Sequence, residues 1–532
     1  MDTSNRLSET ENMNVAKAAG IVSLATMLSR ICGFIRDMVV AAFFGAGLVT
    51  DAFWVAFRIP NLLRRLLGEG SLTVSFVPIF IEYLKSRTKE EAYELADTTF
   101  TLLSIILVIV CIVGIIFSPA IVSVIAFGFA KNREQFELAV FLTRLMFPYI
   151  FFISLVALCM GILNSLRHFT VPALSPVILN ISMIFSTLLL RNHFQEPIVA
   201  LAVGVMIGGV LQLAMQWPIL VRLGVRLKLN FHFRHPGLKK IGKLLFPAFL
   251  VSATYQINVF VGTVLASMLP TGSVSYLYYA DRILELPLGV FAIAVGTASL
   301  PSFSTLATKG DITGLKKTLS FTLRMILFVT VPAMIGLIAL REPIISVLFQ
   351  RGEFNILSTV MTAKALLYYS LGLWAYSIVR VIDSAFFALQ DRKAPLKAAY
   401  FSLLVNIVLS IILMYPLKHG GLALANSIAS AVNVAMLAII LKKKIGVYLD
   451  QHFYRSVSKF VLSSLLMWVV IALVDLILPW SNSASFAYRF STLALEIGLG
   501  SISYMLFSFL FKSTEYVMVY QALRIKLGRL FR

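Results

Sequence analysis

The run Thr98–Ser118, TTFTLLSIILVIVCIVGIIFS, holds 21 consecutive residues without a charge. Coiled as a helix at roughly 1.5 Å per residue it reaches about 30 Å, the thickness of a bilayer's hydrocarbon core. Reading outward from this run, similar stretches recur along the whole chain, near 19-44, 50-84, 93-118, 136-165, 170-190, 197-221, 242-268, 273-303, 318-340, 357-388, 395-416, 420-441, 457-479 and 487-511. They predict an all-α polytopic membrane protein with about 14 transmembrane helices. The composition of the 532 residues agrees, with 59% hydrophobic and 13% charged and a mean hydropathy of +0.88. A water-soluble chain carries roughly 25% charged residues, so too little polar surface is present to coat a soluble globule.

Charge placement sets the orientation. The balance of 46 Lys and Arg against 25 Asp and Glu gives a formal net charge of +21, which in a soluble protein would raise the question of nucleic acid. No nucleic-acid motif is legible, and most of the bases sit in short segments between apolar runs. With the amino terminus inside, about 29 bases fall on the cytoplasmic side and about 7 outside. The inner set includes Arg222, Arg226, Lys228, Lys442, Lys443, Lys444, Arg524, Lys526, Arg529 and Arg532. This bias places both termini in the cytoplasm. The first apolar run contains Arg30, Arg36 and Asp37, unlike the core of a cleaved signal peptide, so it is read as retained.

The chain also echoes itself at an offset near 221 to 226 residues. Gly47-x-Val49-Thr50 and Phe53-Trp54 return as Gly272-x-Val274-Ser275 and Tyr278-Tyr279. Phe100-Thr101-Leu102 returns as Phe321-Thr322-Leu323, Pro119 to Gly128 as Pro343 to Gly352, and Val171-Pro172 with Asn180 as Ala394-Pro395 with Asn406. Because the offset spans an even number of helices, the two copies share an orientation in the membrane. The expected organisation is an N-terminal six-helix lobe over 1-228, a C-terminal six-helix lobe over 229-445, and a segment over 446-532 with two extra transmembrane helices and a basic tail.

Charge inside the apolar spans marks the candidate site. An ion at the bilayer centre costs on the order of 2.5 to 3.5 kcal/mol on insertion scales, so it pairs, faces water or reaches back to the interface. Arg30, Arg36, Arg58, Arg64, Arg65 and Arg282 occupy the first two spans and the eighth, which corresponds to the second. Arg30 and Asp37 lie seven apart, as do Asp51, Arg58 and Arg65, so each set lines one helical face, and Arg65 with Glu69 is an i,i+4 pair. Such charges can serve as structural ion pairs. Arginines gathered around a water-filled cavity instead require an anion, and their planar forks match phosphate oxygens two at a time. Asp37, Asp51, Glu69, Asp281 and Glu285 could hold the arginines while the cavity is empty. Pro60, Pro148, Pro247, Pro287 and Pro332 interrupt spans and can bend them.

Enzyme signatures are missing. No GxxxxGK phosphate loop occurs, and Gly45, Gly47, Gly68 and Gly70 follow no strand. The six histidines lie in or near loops, and Cys32, Cys111 and Cys159 sit in apolar stretches without metal-ligand spacing. No cofactor and no metal site are expected.

Three motifs carry a resemblance. Ser-Arg-x-x-Gly-Phe-x-Arg-Asp at 29-37, Phe-Gly-Ala-Gly-x-x-Thr-Asp-Ala-Phe at 44-53, and Pro-Asn-Leu-Leu-Arg-Arg at 60-65 followed by Gly-Glu-Gly resemble the MurJ (MviN) family of bacterial lipid II flippases. So does Tyr278-Tyr279-Ala280-Asp281-Arg282 with Pro287 and Gly289. That family belongs to the MOP exporter superfamily, which works by alternating access. The resemblance implies a transporter in the bacterial cytoplasmic (inner) membrane that carries lipid II, the undecaprenyl-diphosphate-linked peptidoglycan precursor, from the cytoplasmic to the outer leaflet. It implies that Arg36, Arg64 and Arg282 bind the diphosphate with Arg30 in support and Asp37 beside them, and that spans 13 and 14 hold the polyprenyl tail. Membrane lipids and cell-wall synthesis enzymes are the implied partners, with no nucleic acid. A sodium site known in some relatives uses acids in spans 7 and 11; here spans 7, 11 and 12 have none. The competing readings are a MOP-type exporter of another polyprenyl-linked oligosaccharide, a membrane-embedded glycosyltransferase or phosphatase, which would need a carboxylate or His cluster at one membrane face, and a non-transporting scaffold for cell-wall enzymes.

Overall fold

The computed structural model describes residues 2–66 and 72–530, and those residues are helical with no strand among them. The chain divides into two compact units, Met1–Val274 and Ser275–Arg532.

The first unit opens with α1 (Asp2–Phe44), α2 (Leu48–Leu66) and α3 (Leu72–Ser86). Thr88 caps the next helix, α4 (Lys89–Ile116), by accepting from the Glu91 N–H, which satisfies one of the amides a helix leaves open at its start. A short α5 (Ser118–Ile125) leads to α6 (Arg133–Met146), where Asn132 caps in the same way. Pro148 follows and divides the fourth expected span, because it lacks the N–H that would continue α6; the chain restarts as α7 (Tyr149–Ser165). Two long helices, α8 (Thr170–Leu190) and α9 (Val199–Arg222), then pack through small residues. The face of Gly204 lies on Met183 and Ser186, that of Gly208 on Leu179. Finally α10 (Pro236–Ser267) lies against α2, α3, α4 and α5. The repeat boundary near 228 therefore precedes the packing boundary at 274, since α10 packs within the first unit.

The second unit begins with α11 (Ser273–Pro287), which ends at its proline in a wider turn over Leu288–Ala292 before α12 (Ile293–Thr308). Asp311 caps α13 (Ile312–Ala339), and α14 (Arg341–Phe349) is short. The helices α15 (Ile356–Ser370) and α16 (Leu373–Ala388) meet at a 43° bend. An antiparallel pair follows, α17 (Lys393–Leu417) and α18 (His419–Ile445). The last expected spans are α19 (Gln451–Ile477) and α20 (Phe486–Leu510), then α21 (Thr514–Leu530). Both spans dock on α13: Phe328 meets Phe460 edge to face and Tyr504 at a tilt, and the Tyr504 hydroxyl donates to the Phe328 carbonyl at 2.6 Å. The α21 helix is tied down by Glu515, almost fully buried, which accepts from Arg324 of α13 at 2.7 Å.

Nine described helical segments, α6 with α7 counted as one, are long and apolar enough to cross a membrane, and the bent α15–α16 pair makes a tenth. The other four expected spans correspond to α1, to α2 with α3, to α10, and to α11 with α12. Their surfaces argue the same environment. On α4, Ile105, Ile109, Ile112 and Ile116 form an exposed stripe while Leu107 and Cys111 on the other face are buried. An exposed stripe of isoleucine is stable against acyl chains and not against water.

Close packing of small residues gives a test. Gly421 of α18 lies so near the Leu413 carbonyl that an added Cβ would enter it, whereas Gly336 of α13 faces open space. Gly421→Ala is expected to destabilise the protein by about 1–3 kcal/mol, seen as a lower thermal unfolding midpoint in detergent. Gly336→Ala leaves the midpoint unchanged or raises it.

Candidate substrate-binding arginines

Arg36 is buried within the first unit, and its geometry follows from the cost of that burial. Its Nε and Nη2 both donate to Asp37 Oδ1, at 3.0 and 2.6 Å, and its Nη1 donates to Asn180 Oδ1 at 3.0 Å. Asn180 of α8 in turn donates from Nδ2 to the Ser29 carbonyl of α1 at 3.2 Å. The absence of a side chain at Gly33 leaves room for this: a Cβ there would touch the Asn180 amide at 3.4 Å. Charge, counter-charge and orienting amide thus sit together between two apolar helices, which a lone guanidinium could not do.

The second helix presents its arginines differently. Arg58 donates to the Thr263 hydroxyl and the Val259 carbonyl of α10, so it braces α2 against α10. Arg64, one turn past Pro60 and half-buried, donates from Nε to Asn61 Oδ1 at 3.0 Å. Asp51 is buried at the start of α2 and accepts the Gly272 amide N–H at 2.6 Å, a backbone tie to the turn before α11. Arg30 is exposed on α1. The Arg65 side chain and Glu69 lie outside the described residues.

In the second unit, one face of α11 carries Tyr278, Arg282 and Glu285. Arg282 donates from Nη1 to Glu285 Oε2 at 2.9 Å and from Nη2 to the Tyr278 hydroxyl at 3.1 Å, with its guanidinium 5.0 Å from the Tyr278 ring centre. Asp281 is exposed on the same helix. Exposure separates the two arginine pairs. Arg282 and Glu285 are 32% and 49% exposed, whereas Arg36 and Asp37 are 7% and 2%. A solvated i,i+3 pair is worth only a few tenths of a kcal/mol, so Arg282 can exchange its carboxylate for another anion cheaply. Arg36 can do so only if the incoming group replaces what Asp37 and Asn180 supply.

The structure therefore joins Arg36 to Asp37 and Arg282 to Glu285, sets Arg64 on Asn61, and divides Arg36 and Arg64 from Arg282 between the two units. Asn180, Asn61 and Tyr278 were not singled out as site residues from the sequence. Asn180 carried a legible signal, an amide inside an apolar helix, where uncompensated polar groups are costly. Among the described residues no group of three or more His, Cys, Asp or Glu is placed to hold a metal.

These features define a class, a polytopic helical membrane protein with charge built into its interior. A solved inward-facing multidrug resistance MATE family transporter of the MOP superfamily superposes with a TM-score of 0.65 at 16% identity, over 81% of this chain and 98% of that one. The fold is thus one shared with MOP transporters. The family is narrower. The family model described as "Lipid II flippase MurJ" matches residues 40–491. A probable lipid II flippase MurJ of Buchnera aphidicola subsp. Acyrthosiphon pisum (strain APS) is 36% identical over 93% of this chain and 96% of its own length. One of Vibrio cholerae serotype O1 is also 36% identical, over 93% and 96%. A solved structure titled "Lipid II flippase MurJ, inward closed conformation" superposes with a TM-score of 0.78 at 32% identity, over 92% of this chain and 98% of that one. The chain belongs to the MurJ family.

The clamp on Arg36 predicts a stability effect distinct from transport. Asn180→Leu removes the acceptor of a buried guanidinium N–H and is expected to cost about 1–3 kcal/mol, measured as a drop in unfolding midpoint. An unchanged midpoint would show that Arg36 does not depend on Asn180.

Proposed function

We propose that this protein flips lipid II, taking the undecaprenyl-diphosphate-linked precursor from the cytoplasmic to the outer leaflet of the bacterial inner membrane by alternating access. The observation that carries the reading is the set of arginines placed within the spans of a MurJ-family chain, with Arg282 held by a carboxylate it can release. A disaccharide-peptide headgroup cannot cross hydrocarbon unaided. A cationic cavity shields it while the tail stays in lipid. Arg36, Arg64 and Arg282 bind the diphosphate, each offering a planar fork to phosphate oxygens, and Arg30 supports them. Asp37 and Glu285 release their arginines as substrate arrives, and Asp51, Asp281 and Glu69 complete the acidic support.

Both termini are cytoplasmic in this reading, and the repeat lobes 1-228 and 229-445 rock about the bound headgroup. The diphosphate stabilises one arrangement over the other, which is what a ligand must do to shift such an equilibrium. The polyprenyl tail lies along α19 and α20. The work is transport, without bond making or breaking, and enzymes of cell-wall synthesis are its proposed partners.

Arg282→Ala, the variant least burdened by folding effects, is expected to lower lipid II flipping by roughly 10- to 100-fold while the protein still inserts. Arg64→Ala and Arg36→Ala lose flipping as well, and Arg36→Lys fails to restore it because a point charge lacks the fork. A headgroup-accessibility assay in cells reads each. Wild-type rates in these variants would refute the site, and accumulation of a different polyprenyl-linked glycan on depletion would favour the alternative exporter.

A further inference from the structure

A second cluster of arginines lies where the α14 end meets the α19–α20 turn; it shares no residue with the charged face of α11, although Phe349 and Phe354 at that end pack on Tyr279 of α11. Arg489, in the first turn of α20, is buried; its Nη1 donates to Ser346 Oγ of α14 at 2.9 Å, and its Nε has no hydrogen-bond partner. The Ser346 hydroxyl donates to Gln350 Oε1 at 2.6 Å, and Gln350 Nε2 donates to the Asn482 carbonyl at 2.8 Å. Thus the α14 end and the α19–α20 turn are stitched by neutral acceptors only. Arg351 follows in the turn between α14 and α15. It donates from Nη2 to the Val347 and Leu348 carbonyls and lies 5.7 Å from the Phe486 ring centre. Burial and the nearby charge of Arg489 lower its pKa from the ordinary value.

Two guanidinium groups at one end of the unit, Arg351 over Phe486 and Arg489 one turn further along α20, with no carboxylate bonded to either among the described residues, are an electrostatic deficit that an anion relieves. A cleft of about 430 Å³ opens beside Arg351, lined by Gln350, Arg351 and Asn355 with Phe354, Ile356 and Leu357; Arg489 stands behind it, joined to its wall through Ser346 and Gln350. Its composition is half apolar and half hydrogen-bonding, and Trp480, Phe486 and Tyr488 stand around the same end of the unit. Aromatic rings with arginine mark the level of lipid headgroups in membrane proteins. Arg351 can offer its planar fork to a phosphate there, and the charge of Arg489 behind it favours the anion.

We propose that this cleft binds the phosphate of a lipid headgroup, with Arg351 as the contact and the buried Arg489 adding positive charge behind the wall. The leaflet assignment rests on the proposed orientation, which places the α14–α15 turn outside, so the ligand is an outer-leaflet phospholipid. This site is separate from the diphosphate-binding arginines. It would anchor α14, α19 and α20 to the bilayer while other helices move.

The test uses the purified full-length protein from nanodiscs of phosphatidylethanolamine and phosphatidylglycerol, with retained lipid counted by native mass spectrometry. Wild type is expected to hold phosphatidylglycerol, and Arg351→Gln to hold roughly tenfold less, the loss of one charge-assisted contact. Arg133→Gln, which removes an exposed arginine paired to Glu137 in the first unit, retains the wild-type amount. Equal retention by wild type and Arg351→Gln overturns the proposal. So does a thermal shift with inorganic phosphate in the absence of any retained phospholipid, which would assign the site to a free anion. Arg351→Cys in intact cells, treated with a membrane-impermeant thiol reagent, tests the leaflet separately: labelling supports the outer assignment, and protection contradicts it. Because none of these readouts uses flipping, their failure is distinguishable from failure of the transport reading.

Discussion

Everything in this molecule depends on the penalty for placing a guanidinium in hydrocarbon. That penalty forbids an unpaired Arg36 in α1, and the structure meets it with Asp37 on the same helix and Asn180 from α8. The same constraint explains Gly33, which yields space to Asn180, and the link from Asn180 back to the Ser29 carbonyl. A pair that merely stabilised the fold would be a poor choice, since well-packed apolar side chains of similar volume often do as well or better. Transport of an anion, as proposed, gives the charge a use.

The two units spend their charge unequally. Arg36 is held tightly and hidden, whereas Arg282 is half-exposed and held by Glu285 and Tyr278 within one turn of α11. An anion can take over Arg282 with little loss, while engaging Arg36 requires rearrangement around Asn180. In the transport reading this difference gives the binding event an order. Arg282 would meet the diphosphate first, and engagement of Arg36 would accompany the change of conformation that such binding favours.

Much of this was legible in the sequence because membrane helices announce themselves by length. Uncharged runs such as Thr98–Ser118 predict α4 and its lipid-facing isoleucines directly; of the prolines expected to interrupt spans, Pro148 and Pro287 fall at helix ends, whereas α2 and α13 run on through Pro60 and Pro332. The candidate arginines could be picked out because charge within apolar runs is conspicuous. Their partners were not. That Arg36 rests on Asn180, 144 positions away, depends on how α1 packs on α8, which no local pattern encodes. Nor does the repeat reveal that α10 packs with the first unit, because a repeat records similarity between segments and packing records which faces meet. Arg351 and Arg489 carried no signal of their own, because the contact of Arg489 with Ser346, 143 positions away, is one that no local pattern encodes.

The most direct measurement is a structure of the protein with undecaprenyl diphosphate or lipid II bound. The account predicts phosphate oxygens at about 2.7–3.0 Å from the guanidinium nitrogens of Arg36, Arg64 and Arg282, with Glu285 displaced from Arg282. A diphosphate bound elsewhere, with the Arg36–Asp37 and Arg282–Glu285 pairs undisturbed, would contradict it.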